Sequence, residues 1–186
     1  PRGFLRDGVQ RYDLIVMGSA GGSALAADHM HTVEAFGEAL TRLDPNGLLT
    51  VSAPSDLPPR AGLRLLVTVK EALRKKGVRN PGSRLIFIRS LRTVCLIVKN
   101  GPLTSMDIIK VRTFCGERRF DPVWFPGITG KEANRWNRLD RPLFHDSAVA
   151  LLGPNATEYQ RRYKFDICAI RDNRPYFSRF IKPATF

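Results

Sequence analysis

A continuous apolar run that empties into a glycine-rich loop constrains this chain more than any other feature: Tyr12-Asp13-Leu14-Ile15-Val16-Met17-Gly18-Ser19-Ala20-Gly21-Gly22-Ser23. Residues 14–17 show no polar alternation, the pattern of a strand covered on both faces, as in a parallel α/β sheet. Such a strand needs neighbours on either side. Open α/β sheets bind ligands outside the carboxyl ends of their strands, which makes residues 18–23 the expected ligand-side loop. The same glycines also serve simply to turn the chain. Their spacing matches neither G-x-G-x-x-G nor G-x-x-x-x-G-K-S/T, so the loop carries no nucleotide-phosphate fingerprint.

The remaining chain supplies the partners. Residues 2–11 read as a short helix or turn leading into the strand. Thr32 caps a helix whose Val33, Phe36, Leu40 and Leu43 recur at spacings of three and four. Asp44-Pro45-Asn46-Gly47 is a turn signal that ends it, and residues 48–51 form a second short strand. Strand, helix, strand in that order is a parallel crossover unit. Pro54, Pro58 and Pro59 mark a loop. Residues 60–76 follow as a helix with Leu65, Leu66, Val69, Ala72 and Leu73 on one side, a Glu71 to Lys75 pair, and Gly77 as its stop. Residues 85–88 and 94–98 are apolar runs joined by Arg89-Ser90-Leu91-Arg92-Thr93, too short for a crossover helix, so they pair antiparallel. Thr104 with Asp107 opens a helix to Cys115 as a variant capping box. Residues 120–128 predict an edge strand, residues 131–152 a polar stretch and then a helix, and residues 159–170 a helix end and a strand. The predicted class is α/β.

A chain of 186 residues, 43% hydrophobic and 25% charged, has the composition of one globular core. Lys and Arg outnumber Asp and Glu by 30 to 17, a formal charge of +13, which favours an anionic contact such as nucleic acid or lipid headgroups. The cations are scattered in small clusters, which reads as a generally basic solvated surface. Cys95, Cys115 and Cys168 form no C-x-x-C, so neither a disulfide framework nor a zinc site is indicated. No run approaches the ~18 apolar residues of a membrane span, and no basic-then-apolar leader precedes the first strand. The chain starts at Pro1 shortly before a core strand, the expectation for a piece of a longer polypeptide.

The order strand, helix, turn, strand, helix, antiparallel pair resembles the second half of the Rossmann-like fold of S-adenosylmethionine-dependent methyltransferases. Arg2-Gly3-Phe4-Leu5 before Tyr12-Asp13-Leu14-Ile15-Val16, His31-Thr32-Val33-Glu34-Ala35-Phe36, Asn134-Arg135-Trp136-Asn137, Phe144-His145-Asp146 and the closing Asp172-Asn173-Arg174-Pro175-Tyr176-Phe177 narrow it. They resemble the spermidine-synthase-like branch found in large bacterial membrane proteins. The resemblance implies a partial Rossmann-like domain over residues 1–116 and an α+β carboxyl-terminal extension over residues 117–186, packed on the same domain. It further implies methyl or aminopropyl transfer from S-adenosylmethionine or decarboxylated S-adenosylmethionine. The implied partners are a small-molecule acceptor, the amino-terminal half of the same domain and membrane-spanning segments of the parent. The implied location is the cytoplasmic side of a bacterial inner membrane.

By the same resemblance most of the cofactor site lies in the amino-terminal half, outside this chain, and Arg2, Gly3, Gly18 and Ser19 are the cofactor-contact positions within it. The strand-end Asp that activates the amine in true aminopropyltransferases is replaced here, the places being filled by Gly18, Ser19 and Ala20; a neutral Ser19 hydroxyl is a poor base near pH 7. Ser19, Asp28 and His31 are the remaining catalytic candidates. His29 and His31 also read as an exposed pair at a helix entry, and Glu34 as a first-turn carboxylate favoured by the helix dipole. Asp172 and Arg174 are expected to pair and tie the tail to the sheet. His145-Asp146 reads as structural, and Trp124, Trp136, Tyr176 and Phe177 as core or as stacking platforms. Two other function classes fit the sequence: a catalytically silent nucleoside- or polyamine-binding regulatory domain, and an RNA methyltransferase or RNA-binding module suggested by the charge.

Overall fold

The computed structural model describes residues 2–20 and 29–182; Pro1, Gly21, Gly22, Ser23 and the candidate Asp28 lie outside the described residues. In chain order the elements are α1 (Arg2–Asp7), β1 (Tyr12–Val16), a 3-10 turn (His29–His31), α2 (Val33–Thr41), β2 (Leu43–Pro54) and α3 (Ala61–Lys75). They continue through β3 (Leu85–Arg89), β4 (Thr93–Lys99), α4 (Ser105–Arg118), β5 (Asp121–Trp124), α5 (Leu143–Leu152) and α6 (Ala156–Arg162). The fold is α/β around one five-stranded mixed sheet in the order β1-β2-β4-β3-β5. β1 and β2 run parallel, as a strand-helix-strand crossover requires. β4 is antiparallel to both β2 and β3, so β1, β2 and β3 point one way with β4 reversed between them. β5 closes the far edge antiparallel to β3.

Local chemistry sets the helix ends. The Thr32 hydroxyl accepts from the Ala35 amide at the start of α2. At α4, Thr104 and Asp107 exchange hydrogen bonds as a full capping box. Gly77 adopts φ +81° behind α3, a left-handed conformation that glycine takes without steric cost, while the Val78 amide returns to the Leu73 carbonyl. Along α3, Glu71 and Lys75 do not pair with each other as their spacing predicts. They turn instead to Arg171 and Glu34.

The main core lies where α2 and α3 cover one sheet face, with Phe36, Leu40, Leu63, Leu66, Val69 and Leu73 packed with Leu49, Val51, Phe87 and Leu96. Gly62 lets α3 approach closely: a Cβ there falls 2.8 Å from Val94 Cγ2. Phe144, Ala148 and Leu151 of α5 join the same cluster. On the other face α4 covers Ile86, Ile88 and Ile97, and its cover stops short of β1.

Three expectations are corrected. β1 is not covered on both faces. Among the described residues it pairs only with β2, and Leu14 and Val16 are 53% and 71% exposed on the face α4 does not reach. The turn Asp44-Pro45-Asn46-Gly47 does not separate helix from strand either. β2 starts at Leu43 and carries the turn as an internal excursion, so that Tyr12 pairs Leu43 while Leu14 pairs Leu48. Asn46 takes φ +67°, and the Asn100 side chain donates to the Leu43 and Asp44 carbonyls, satisfying backbone groups the ladder has released. Finally, residues 165–170 form no strand among the described residues. Their backbone is held by side chains of α3 instead: the Thr68 hydroxyl accepts from the Ile170 amide, and Arg64 donates to the Asp166 carbonyl.

The even basic surface is likewise only part of the picture, because Arg64, Lys70 and Arg89 are buried. Arg89 pairs with fully buried Asp121 at 3.3 Å, and burial lowers the Arg89 pKa. Asp121 in turn accepts the amides of Arg135, Trp136 and Asn137 at 2.7, 2.8 and 2.6 Å, which is how Asn134-Arg135-Trp136-Asn137 is fixed. His145 is structural as read: its Nδ1 contacts the Val123 carbonyl at 3.1 Å.

Candidate functional site

The parallel pair leaves its carboxyl ends at Val16 and Pro54, and the loop after β1 continues along β2 through Met17 N to Thr50 O and Ala20 N to Ser52 O, both 2.8 Å. Gly18 and Ser19 bulge between these two anchors and are exposed. A Cβ at Gly18 meets no described atom within 4 Å and its φ is not positive, so neither backbone conformation nor packing within the described residues requires glycine there.

Beneath the loop sits His31. It is 2% exposed, which corrects the reading of an exposed histidine pair; His29 alone stays at the surface. The carbonyl oxygen of Gly18 accepts from His31 Nε2 at 3.0 Å, which fixes that nitrogen as the protonated one. The imidazole lies 5.7 Å from the Phe177 ring and 6.4 Å from the Phe36 ring. His31 thus links the loop to the closing motif, and Phe177 is core rather than a stacking platform, whereas Trp136 and Tyr176 remain partly exposed.

The closing motif is locked by charge. Arg2 donates from Nε and Nη2 to Glu38 at 2.8 and 2.9 Å and from Nη1 and Nη2 to Asp172 at 2.8 and 2.7 Å, with a further contact to the His29 carbonyl at 3.4 Å. All five guanidinium donors are therefore engaged within the protein, and the two carboxylates, Glu38 first, hold its pKa above the ordinary value. Arg2 is a clamp with no donor left over for a ligand. Gly3 sits on the same short helix, with its would-be Cβ 3.8 Å from Asp7, away from the Gly18 loop's contacts.

Asp172 also accepts from the Thr32 hydroxyl at 2.6 Å. Its partner is therefore Arg2 on α1 and the cap of α2, not Arg174. Arg2 lowers the Asp172 pKa, assisted by Thr32 against a burial cost. Burial pushes Glu34 up, but Lys75 at 3.0 Å and the Asp172 amide more than offset it, so its carboxyl also lies below the usual range. A carboxylate held ionised in this way is an anchor and not a proton carrier near neutrality.

The structure thus brings Gly18, Ser19, His31, Thr32, Arg2 and Asp172 to one end of the sheet. Sequence reasoning missed Arg64. Its guanidinium is buried at 1% exposure and donates to the carbonyls of Tyr176, Phe177, Asp166 and Arg179, pinning both sides of the closing motif. No periodicity signal marks it: Arg64 lies on the opposite side of α3 from Leu65, Leu66, Val69, Ala72 and Leu73, and it is buried because residues 166–179 fold over that side. The cluster offers no ligand set for a metal, and among the described residues no group of three metal-binding side chains exists. No described helix is long and apolar enough to cross a membrane. The chain matches no family model and no curated protein.

Proposed function

We propose that this chain is the acceptor-side portion of a spermidine-synthase-like transferase domain that uses S-adenosylmethionine or its decarboxylated form. The observation that carries the reading is the placement of the open Gly18-Ser19 loop at the carboxyl end of a parallel pair, under a closing motif locked by Asp172 to Arg2 and Thr32. The free space over Gly18 fits a ligand that approaches the backbone closely. When bound, the sulfonium donor supplies a carbon electrophile for in-line attack. This chain's part is to shape and align: His31 fixes the Gly18 carbonyl, Phe177 backs His31, and Arg2 keeps the motif shut. Membrane tethering and an amino-terminal half completing the sheet belong to the same proposal.

A second reading, a silent nucleoside- or polyamine-binding regulatory domain, is favoured by one feature. Glu34, Glu38 and Asp172 are all consumed by cations, and no carboxylate stands at residues 18–20. The longest natural polypeptide containing this chain, incubated with labelled S-adenosylmethionine or its decarboxylated form and an amine panel, tests both. Label transfer supports the transferase, saturable binding without transfer the silent domain, and absence of both overturns the pair.

A further inference from the structure

A basic cavity lies elsewhere in the fold. The outer side of α3, the start of α6 and the strap at residues 168–171 enclose about 610 Å³, within the ~300–1,000 Å³ usual for small-molecule sites. It shares no lining with Gly18, Ser19, His31, Thr32 or Asp172. Four cations border it, Lys70, Arg74, Lys75 and Arg171, against one carboxylate, Glu71. Two are neutralised already, Arg171 by Glu71 and Lys75 by Glu34. Lys70 and Arg74 take part in no ion pair among the described residues.

Lys70 is 5% exposed and donates one hydrogen bond to the Leu151 carbonyl at the end of α5. That contact explains one of its three donors through the helix dipole and leaves the rest. Burial, and then the nearby Arg74 charge, bring its pKa down to about 8. Two like charges held close in a half-enclosed space are relieved by an anion. An adjoining cavity of about 270 Å³ shares Cys168, Ala169 and Arg171 and adds Arg64, Arg174 and Arg179 against one carboxylate, Asp166, so the net positive lining continues along the strap.

We propose that this groove binds a phosphorylated small molecule, its terminal phosphate between Lys70 and Arg74 and its remainder along Cys168 and Arg171 toward Arg174. Phosphate accepts from both cations through charge-assisted hydrogen bonds, and the elongated lining suits a di- or triphosphate better than a single phosphate.

The test uses the full chain and inorganic pyrophosphate, followed by calorimetry at neutral pH. Saturable one-to-one binding, weakened about tenfold by Arg74→Ala as one charge-assisted bond is lost, is the expected result. Arg79→Ala removes an exposed cation outside the lining and leaves binding unchanged. Lys70→Met abolishes it; because that variant loses a helix contact, Arg74→Ala at the surface keeps the test independent of folding. Pyrophosphate also slows alkylation of exposed Cys168. Absence of saturable binding, or equal weakening by Arg79→Ala and Arg74→Ala, overturns the proposal.

Discussion

Replacing Arg64 by methionine keeps the aliphatic stem packed in α3 and removes the guanidinium. Four carbonyl acceptors on residues 166, 176, 177 and 179 lose their donor, together with an ion pair to Asp166 at 3.4 Å and a guanidinium–ring contact to Phe180 at 4.4 Å. A hydrogen bond involving a charged partner contributes about 1.5–3 kcal/mol, but these four are coupled and not additive. Three of the four are only partly buried, so water recovers part of the loss. The expected cost is about 3 kcal/mol, toward the low end of what breaking a buried charged network costs. With a urea m-value of about 2 kcal/mol/M, the unfolding midpoint falls by roughly 1.5 M. The loss is local as well as global, because the closing motif has lost its pin. Trypsin therefore cuts faster at Arg171 and Arg179 in the variant under native conditions, while the Arg174–Pro175 bond resists it in both. A midpoint within about 0.3 M of the parent, with an unchanged tail digest, would show that Arg64 does not hold the motif.

Other perturbations separate the parts of the account. Asp107 is lowered from 3.8 to about 2, by Lys99 first, so its stabilisation is present above pH ~4 and is lost as the pH falls from 3.8 through about 2; Asp107→Asn costs about 1 kcal/mol at pH 6 by chemical denaturation and progressively less as the pH is lowered toward 2. Gly62→Ala drives a methyl against Val94 and Phe87 and lowers stability by about 1–3 kcal/mol, whereas Gly116→Ala, with open space, does not. Leu14 and Val16 on the open face of β1 lead to concentration-dependent association of the chain in sedimentation velocity, relieved by Val16→Lys; a monomer at all concentrations would contradict an exposed apolar β1 face.

The elements that local chemistry dictates are legible in the sequence. Thr32 and Thr104-Asp107 announced two helix starts, Gly77 a helix end, and the short link at residues 89–93 an antiparallel pair. What failed were readings in which tertiary partners decide. The apolar run at residues 14–17 promised cover on both faces, but α4 packs over β3 and β4 and leaves β1 open. Asp44-Pro45-Asn46-Gly47 has turn chemistry, yet Asn100 across the sheet absorbs it into β2. Of the candidate site, the Gly18-Ser19 loop and Thr32 were placed by pattern alone. The Arg2–Asp172 clamp joins residues 170 positions apart, and no spacing rule sees such a pair.

The central claim is that the loop after β1 receives a sulfonium nucleoside. Calorimetric titration of S-adenosylmethionine and its decarboxylated form into the longest natural polypeptide containing this chain tests it most directly, alongside Gly18→Val. The account predicts saturable binding that Gly18→Val weakens about tenfold or more at an unchanged melting temperature, since no described atom lies within 4 Å of a Cβ added there. Binding unaffected by Gly18→Val, or no binding of either nucleoside, would contradict it.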